Sequence, residues 1–225
     1  DTRCVVLPTD SNRTLAVLPF VNGSIGRYAT ELAPLQQGIA DFLSQELTVV
    51  PHIHLIERAS FNALARERPG ISRSPATATT GAETGRQLNA ETIVIGGFTG
   101  DASGMLRITA RIVDVGNNEV KFAEVAWGKQ DSILLIISDL AGKLRCRLEG
   151  KWSAAQACTP TAAQTVAVGG AAVEKSKKMP LSAALLYAKA IDAEDAGKTD
   201  QAATLFKQVV EQFPYRPACD ALRKL

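Results

Sequence analysis

The sequence predicts an α/β protein: a mixed five-stranded sheet with the order β-α-β-α-α-β-β-β-α, covered by helices and followed by a C-terminal α-helical hairpin. Three observations predict it. Short β-branched runs alternate with stretches of three- and four-residue apolar spacing, as when helices connect strands. Residues 106–112 alternate strictly between apolar and polar, which marks an antiparallel strand buried on one side only. Beyond residue 180 the apolar spacing is helical throughout.

The elements follow in order. Thr14 to Phe20 is a short apolar run closed by Pro19 and followed by Asn22-Gly23, a buried strand ending in a turn. From Tyr28, Leu32, Leu35, Ile39, Phe42, Leu43 and Leu47 recur at helical steps, predicting one amphipathic helix laid over the sheet. Pro51 breaks it, and Ile53, Leu55 and Ile56 carry a second strand between His52 and Glu57. Ser60 to Leu64 starts a short helix. Pro69 to Thr80 has no periodicity and is rich in Pro, Ser, Thr and Gly, predicting an exposed loop.

A brief helix with Leu88 leads into Thr92 to Phe98, a third strand whose Gly96-Gly97 pair predicts a bulge or a close backbone approach. Leu106, Ile108, Ala110 and Ile112 then share one strand face, with Arg107, Thr109 and Arg111 on the other. Gly116-Asn117-Asn118 turns the chain into a fifth strand, Val120 to Trp127, closing a hairpin. Asp131 is placed to cap a helix bearing Ile133, Leu134, Ile137, Leu140 and Leu144.

Composition narrows function by exclusion. With 225 residues, 46% hydrophobic and 21% charged, the chain has the make-up of an ordinary globular protein. Its 25 Lys+Arg against 23 Asp+Glu leave a net charge of +2, with the basic residues scattered. Nucleic acid is therefore not an expected partner, since that binding needs concentrated cations. No run of about 18 apolar residues predicts a transmembrane segment. The chain opens at Asp1 without the basic and apolar leader of a signal peptide.

Catalytic, metal and cofactor sites are not predicted. His52 and His54 could offer two metal ligands from one strand face, but nothing places a third nearby. Gly96-Gly97 and Gly169-Gly170 lack the spacings that cradle phosphates. No G-x-S-x-G elbow is present. Glu83, Glu91 and Asp101 read as solvated carboxylates. The expectation is a non-enzyme without cofactors.

Cys4, Cys146, Cys158 and Cys219 form no C-x-x-C pair, which excludes zinc ribbons and thioredoxin-like motifs. Cys146 and Cys158 are the candidate disulfide, tying the end of a helix to the segment that leaves it; the alternative is two reduced thiols. A pairing of Cys4 with Cys219 is left open. Asp1-Thr2-Arg3 lacks the small apolar lead-in of a lipidation site at Cys4.

Residues 150–180 are rich in Ala, Thr, Gly and Lys, predicting a linker between an α/β domain at 14–149 and a helical unit at 181–225. In that unit Leu185, Leu186, Ala190, Gly197, Ala202, Phe206 and Pro214 resemble one tetratricopeptide repeat, with another helix starting at Arg216. A plain helical hairpin has the same packing needs. Two helices cannot cover their own apolar face, so the unit is expected to pack on the α/β domain or on a second protomer.

The pieces Leu15-Ala16-Val17-Leu18-Pro19-Phe20, Gly38-Ile39-Ala40-Asp41-Phe42-Leu43, Leu55-Ile56-Glu57-Arg58, Gly85-Arg86-Gln87-Leu88-Asn89-Ala90 and Arg107 to Asp114 resemble, in order and spacing, the domain shared by CsgG proteins and the N-terminal domain of TolB, an LpoB-like fold. The resemblance implies periplasmic or cell-envelope work in bacteria without a common catalysis, and envelope proteins as partners. The leading expectation is a scaffold or adaptor. A subunit of a homo-oligomeric CsgG-like secretion or outer-membrane assembly is the second, and a small-ligand-sensing domain the third. The long alternating hairpins by which CsgG channels join a barrel have no counterpart here.

Overall fold

A computed structural model of the protein describes residues 13–68, 77–148 and 179–225. Cys4, Cys158, most of the expected loop and nearly all of the expected linker lie outside the described residues. The architecture is mixed α/β, with helices on both sides of the sheet and a helical C-terminal unit. The strands are β1 (Arg13–Val17), β2 (Val21–Asn22), β3 (Ile53–Leu55), β4 (Thr92–Gly100), β5 (Met105–Asp114) and β6 (Glu119–Lys129). The helices are α1 (Arg27–Glu31), α2 (Leu35–Leu47), α3 (Arg58–Glu67), α4 (Ala78–Gln87), α5 (Ile133–Leu148), α6 (Leu181–Asp195), α7 (Thr199–Gln212) and α8 (Arg216–Lys224).

The sheet order is β3-β1-β4-β5-β6, parallel where helices connect strands and antiparallel from β4 onward. A sixth strand, β2, was not expected. Its two residues pair parallel with Gly97 and Phe98 of β4. They are too few to show a period, and Gly97 permits the approach: a Cβ there would sit 3.1 Å from the Val21 carbonyl oxygen. Gly96 answers a tighter demand, since a Cβ would lie 2.2 Å from the Thr109 carbonyl oxygen and 2.3 Å from the Phe20 ring. The ladder irregularity falls instead between Ile112 and Val113 in the β5–β6 pairing.

Three further local differences have simple causes. The helix expected from Tyr28 to Leu47 is two helices, because Pro34 cannot continue the first and sits at the start of the second. The loop expected to reach Thr80 ends at Thr77, whose Oγ1 accepts from the Thr80 N–H and caps α4. Asp131 lies in a 3₁₀ turn, Gln130–Ser132, rather than capping α5. Its carboxylate accepts from the Leu181 N–H at the start of α6 (3.5 Å).

One face of the sheet forms the main core. Leu15, Val94, Phe98, Leu106, Ile108, Ala110, Ile112 and Ala126 belong to one core with α2 and α5, which α6 extends by packing on α2. On the other face Ala16, Leu18, Ile93, Ile95 and Val113 meet Phe61 of α3 and the α4 region. Gly81 and Gly85 let α4 lie flat, because a Cβ at either would come within 2.8 Å of Ile93.

The helical unit packs on the α/β part of the same chain, continuing its core. Gly38 of α2 makes room for Ala188 of α6, whose Cβ would lie 2.8 Å from a Cβ at that position. Phe42 stacks on Tyr187 at 5.1 Å, and Phe206 and Tyr215 close around the same ring. The Tyr187 hydroxyl donates to Asp41 (2.8 Å) and that of Tyr215 to Gln45 (2.8 Å). Burial first, and the Asp41 charge second, push both tyrosine pKa values upward, so they remain neutral donors. Of the positions matched to a tetratricopeptide pattern, Ala190, Ala202 and Phe206 are buried and Leu186 is half-buried. Gly197 takes φ 73° in the α6–α7 turn, and Pro214 is exposed before α8.

Candidate functional site

The sheet is sealed on one face and incompletely covered on the other. Helices α3 and α4 reach the rows that contain Ile93, Ile95 and Val113. The register defines the rows beyond them. Trp127 pairs with Arg107 and Arg107 with Thr99; Val125 pairs with Thr109, Thr109 with Gly97, and Gly97 with Val21. Alternation puts these side chains opposite Leu106, Ile108 and Ala126, which are buried in the main core. Thr99, Arg107, Thr109, Ala123 and Lys129 are exposed, and Trp127 is 70% exposed.

The result is a shallow trough. Its floor holds the small residues Gly97, Thr99, Thr109 and Ala123 together with Arg107 and Val125, with the Thr109 hydroxyl tied to the Gly97 carbonyl (3.2 Å). Trp127 stands at one margin. At the other is the turn after β2, where a Cβ at Gly23 would touch Thr99 at 3.3 Å and where Ile25 is 84% exposed. A tryptophan fixed on a paired strand offers a large apolar surface at little entropic cost, and such residues dominate binding energies.

The floor and margin carry Arg107, Arg111 and Lys129 but no carboxylate. Arg111 is already in contact with other groups. Arg107 and Lys129 form no ion pair among the described residues. The nearest acidic turn residue, Asp101, accepts from Ser103 and from the Met105 N–H, and these hydrogen bonds hold its pKa below the ordinary range.

A cavity of about 640 Å³ opens at the far end of the sheet. Its charged lining is largely spoken for: Lys121 pairs with Glu119 (2.6 Å) and Arg147 with Glu124 (2.7 Å). A second charged cluster lies where the helical unit meets α3. Arg58 bonds Glu194 and, at 2.8 Å, Asp195, with Asp41 at 3.6 Å. Burial opposes the Arg58 charge, but those carboxylates outweigh it and raise its pKa. This cluster holds two parts of the chain together.

Sequence reasoning placed Arg107 and Arg111 correctly on the polar side of their strand but assigned Trp127 no role. A partial signal was present: on β6, Ala123, Val125 and Trp127 share one side while Phe122 and Ala126 share the other with Glu124, so apolar residues fall on both sides. His52 and His54 do not share a strand face, since His52 precedes β3 with φ 62°. No cluster of metal-ligating residues occurs among the described residues. Cys146 is disulfide-bonded and Cys219 is a half-buried free thiol. No described helix is long and apolar enough to cross a membrane.

No protein-family model matches this chain, and no curated protein matches it by sequence. Solved structures similar to it include the C-terminal domain of LpoB from Salmonella enterica, at 14% identity over 53% of this chain and 84% of that one, with a TM-score of 0.37. PelC from Paraburkholderia phytofirmans, solved as a dodecamer, matches at 14% identity over 63% and 91%, with a TM-score of 0.39. TolB from Acinetobacter baumannii matches at 12% identity over 62% and 28%, with a TM-score of 0.38. Likenesses at this level carry no functional argument.

Proposed function

We propose that the chain is a non-catalytic protein of the bacterial cell envelope that works as a protein–protein interaction scaffold or adaptor. The observation that carries this reading is the open sheet face, a rigid trough with Trp127 exposed on a paired strand. Most exposed apolar residues stand singly and need no explanation, but this tryptophan lies beside an arginine that forms no ion pair among the described residues, and both residue types are enriched at interfaces. The disulfide at Cys146 supports an oxidising compartment, and Cys158 is the partner we favour. In this reading residues 150–180 connect the α/β part, 14–149, to a tetratricopeptide-like hairpin that buttresses α2 rather than forming a separate arm.

A photo-crosslinking residue at position 127 tests the proposal in a bacterial envelope extract. A discrete adduct at 127, absent with the same residue at Leu222 on α8, is expected. Equal labelling at both positions would remove the assignment of the face. Alkylation without reductant should leave Cys146 and Cys158 unmodified in exported protein.

One observation favours a second reading, a subunit of a homo-oligomeric CsgG-like assembly. Strand β6 is an eleven-residue sheet edge, and long edges invite pairing. Lys143 of α5 already donates to the Val125 carbonyl (2.7 Å), which blunts that edge and leaves this reading second. Molar mass in solution decides it: a discrete high oligomer would put this reading first.

A further inference from the structure

We infer that the partner of the open face is an acidic protein segment that carries an aromatic or branched apolar side chain. This inference rests on the adaptor reading and names the chemistry of its partner. Between Trp127 and the turn bearing Ile25 the face carries the small residues Gly97, Thr99, Thr109 and Ala123 together with Arg107 and Val125, and no described helix of the chain covers it. Arg107 is the direct cross-strand neighbour of Trp127, and Lys129 follows two residues beyond it on the same strand face. Neither has an ion-pair partner among the described residues.

The charge pattern selects the partner. The half-buried cations are matched within the chain, Arg58 by three carboxylates, Arg147 by Glu124 and Lys143 by Asp139, whereas exposed cations such as Lys189 and Lys207 stand without an ion pair among the described residues; Arg107 and Lys129 differ from those in lying together beside an exposed tryptophan. On this face the matching carboxylates are missing from the strands themselves. A partner supplying them beside an apolar anchor satisfies both features at once, with the aromatic ring buried on Trp127 and its acidic neighbours reaching Arg107 and Lys129. A nucleic-acid strand fits less well. Stacking platforms use several aromatic rings along a tract of cations, and this face offers one ring.

Nuclear magnetic resonance of the intact chain tests this with three probes. One is a synthetic twelve-residue peptide alternating Glu and Phe, one the same peptide with Lys for Glu, and one a twelve-nucleotide oligothymidine. The Glu–Phe peptide is expected to shift the Trp127 indole and the amides at 97–99, 107–109 and 123–129. Its affinity should fall by roughly tenfold or more as salt screens the contact. Trp127→Ala should abolish the shifts. The double substitution Arg107→Glu with Lys129→Glu should transfer binding to the Lys–Phe peptide.

Equal binding of the Lys–Phe peptide to the unsubstituted chain overturns the inference, as does saturable binding of oligothymidine on these strands. So does binding of the Glu–Phe peptide at other residues, or no binding at all. Failure of the adaptor reading looks different. If the envelope adduct at position 127 survives the charge-reversed pair, the adaptor reading stands and the acidic preference falls. If peptide selectivity holds but no envelope protein ever forms that adduct, the reverse is true. Both substituted positions are exposed, so an unchanged amide spectrum confirms that each variant is folded.

Discussion

Strand β5 shows two faces of one element meeting opposite fates. Leu106, Ile108 and Ala110 disappear beneath α2 and α5, while Arg107 and Thr109, one residue away in each case, stay exposed. The strand is the same and so is its backbone pairing. What differs is the supply of helices. Two long helices, backed by the C-terminal unit, cover one face, whereas α3 and α4 cover β1, β4 and only the Val113 end of β5 on the other. An open face therefore reflects what was left uncovered, and its exposed side chains are mostly polar with a single tryptophan among them.

The contrast predicts its own largest break. Ile108→Asp buries an uncompensated carboxylate and should cost at least about 4 kcal/mol. Arg107→Ala, its immediate neighbour, should change stability by less than about 0.5 kcal/mol. Urea unfolding of the two variants measures the difference. Comparable losses would mean that the face bearing Arg107 is structural rather than a free surface.

That asymmetry was only half legible beforehand. Strict alternation from Leu106 to Ile112 identified the sealed side without any tertiary information, because a period of two can serve only one buried face. Nothing local said that the opposite side would lack a helix. That depends on β6 ending the sheet and on α3 and α4 sitting over β1 and β4, both matters of topology. Apolar residues on both sides of β6 hinted at Trp127, but its exposure was unreadable for the same reason. Strand β2 was missed because two residues carry no period, and the Arg58 cluster because it joins positions 41, 58, 194 and 195.

The helical unit backs α2 above the sealed face, and two substitutions ask how integral that backing is. Phe206, buried against Tyr187, should cost about 3 kcal/mol when cut to alanine. The loss should appear in hydrogen exchange at β4 and β5 as well as in α6 and α7. Protection lost in α6 and α7 alone would make the unit a separate arm. A smaller effect is expected at the seam itself. Gly38→Val introduces branched atoms where even a Cβ would come within 2.8 Å of Ala188, forcing α2 and α6 apart at about 2 kcal/mol. Thermal melting of that variant against Ala184→Gly, at a buried position of the facing helix α6, separates a wedge from a simple loss of contact.

The smallest expected effect is pH-dependent and sits at the edge of the same seam. Asp192 is exposed overall, but loss of solvent around its carboxyl and the neighbouring Asp195 charge push its pKa up to about 6, with Arg58 pulling it back. Asp195 is raised as well, first by burial and against the pull of Arg58. A carboxyl whose folded pKa lies above its unfolded value penalises the folded state most fully when both states are ionised, above pH 6. As pH falls through 6 toward 4 the folded state takes up the proton first, and the penalty fades. Acidification over that window should therefore tighten the seam, even though most carboxylate effects run the other way. Asp192→Asn removes the charge at every pH, so its melting temperature should exceed that of the unsubstituted chain at pH 7.5 and the two should converge near pH 4. A gain of equal size at both pH values would assign the effect to something other than titration. A lower melting temperature at pH 7.5 would mean that the attraction between Asp192 and Arg58 outweighs desolvation, making the charged cluster a net stabiliser of the seal.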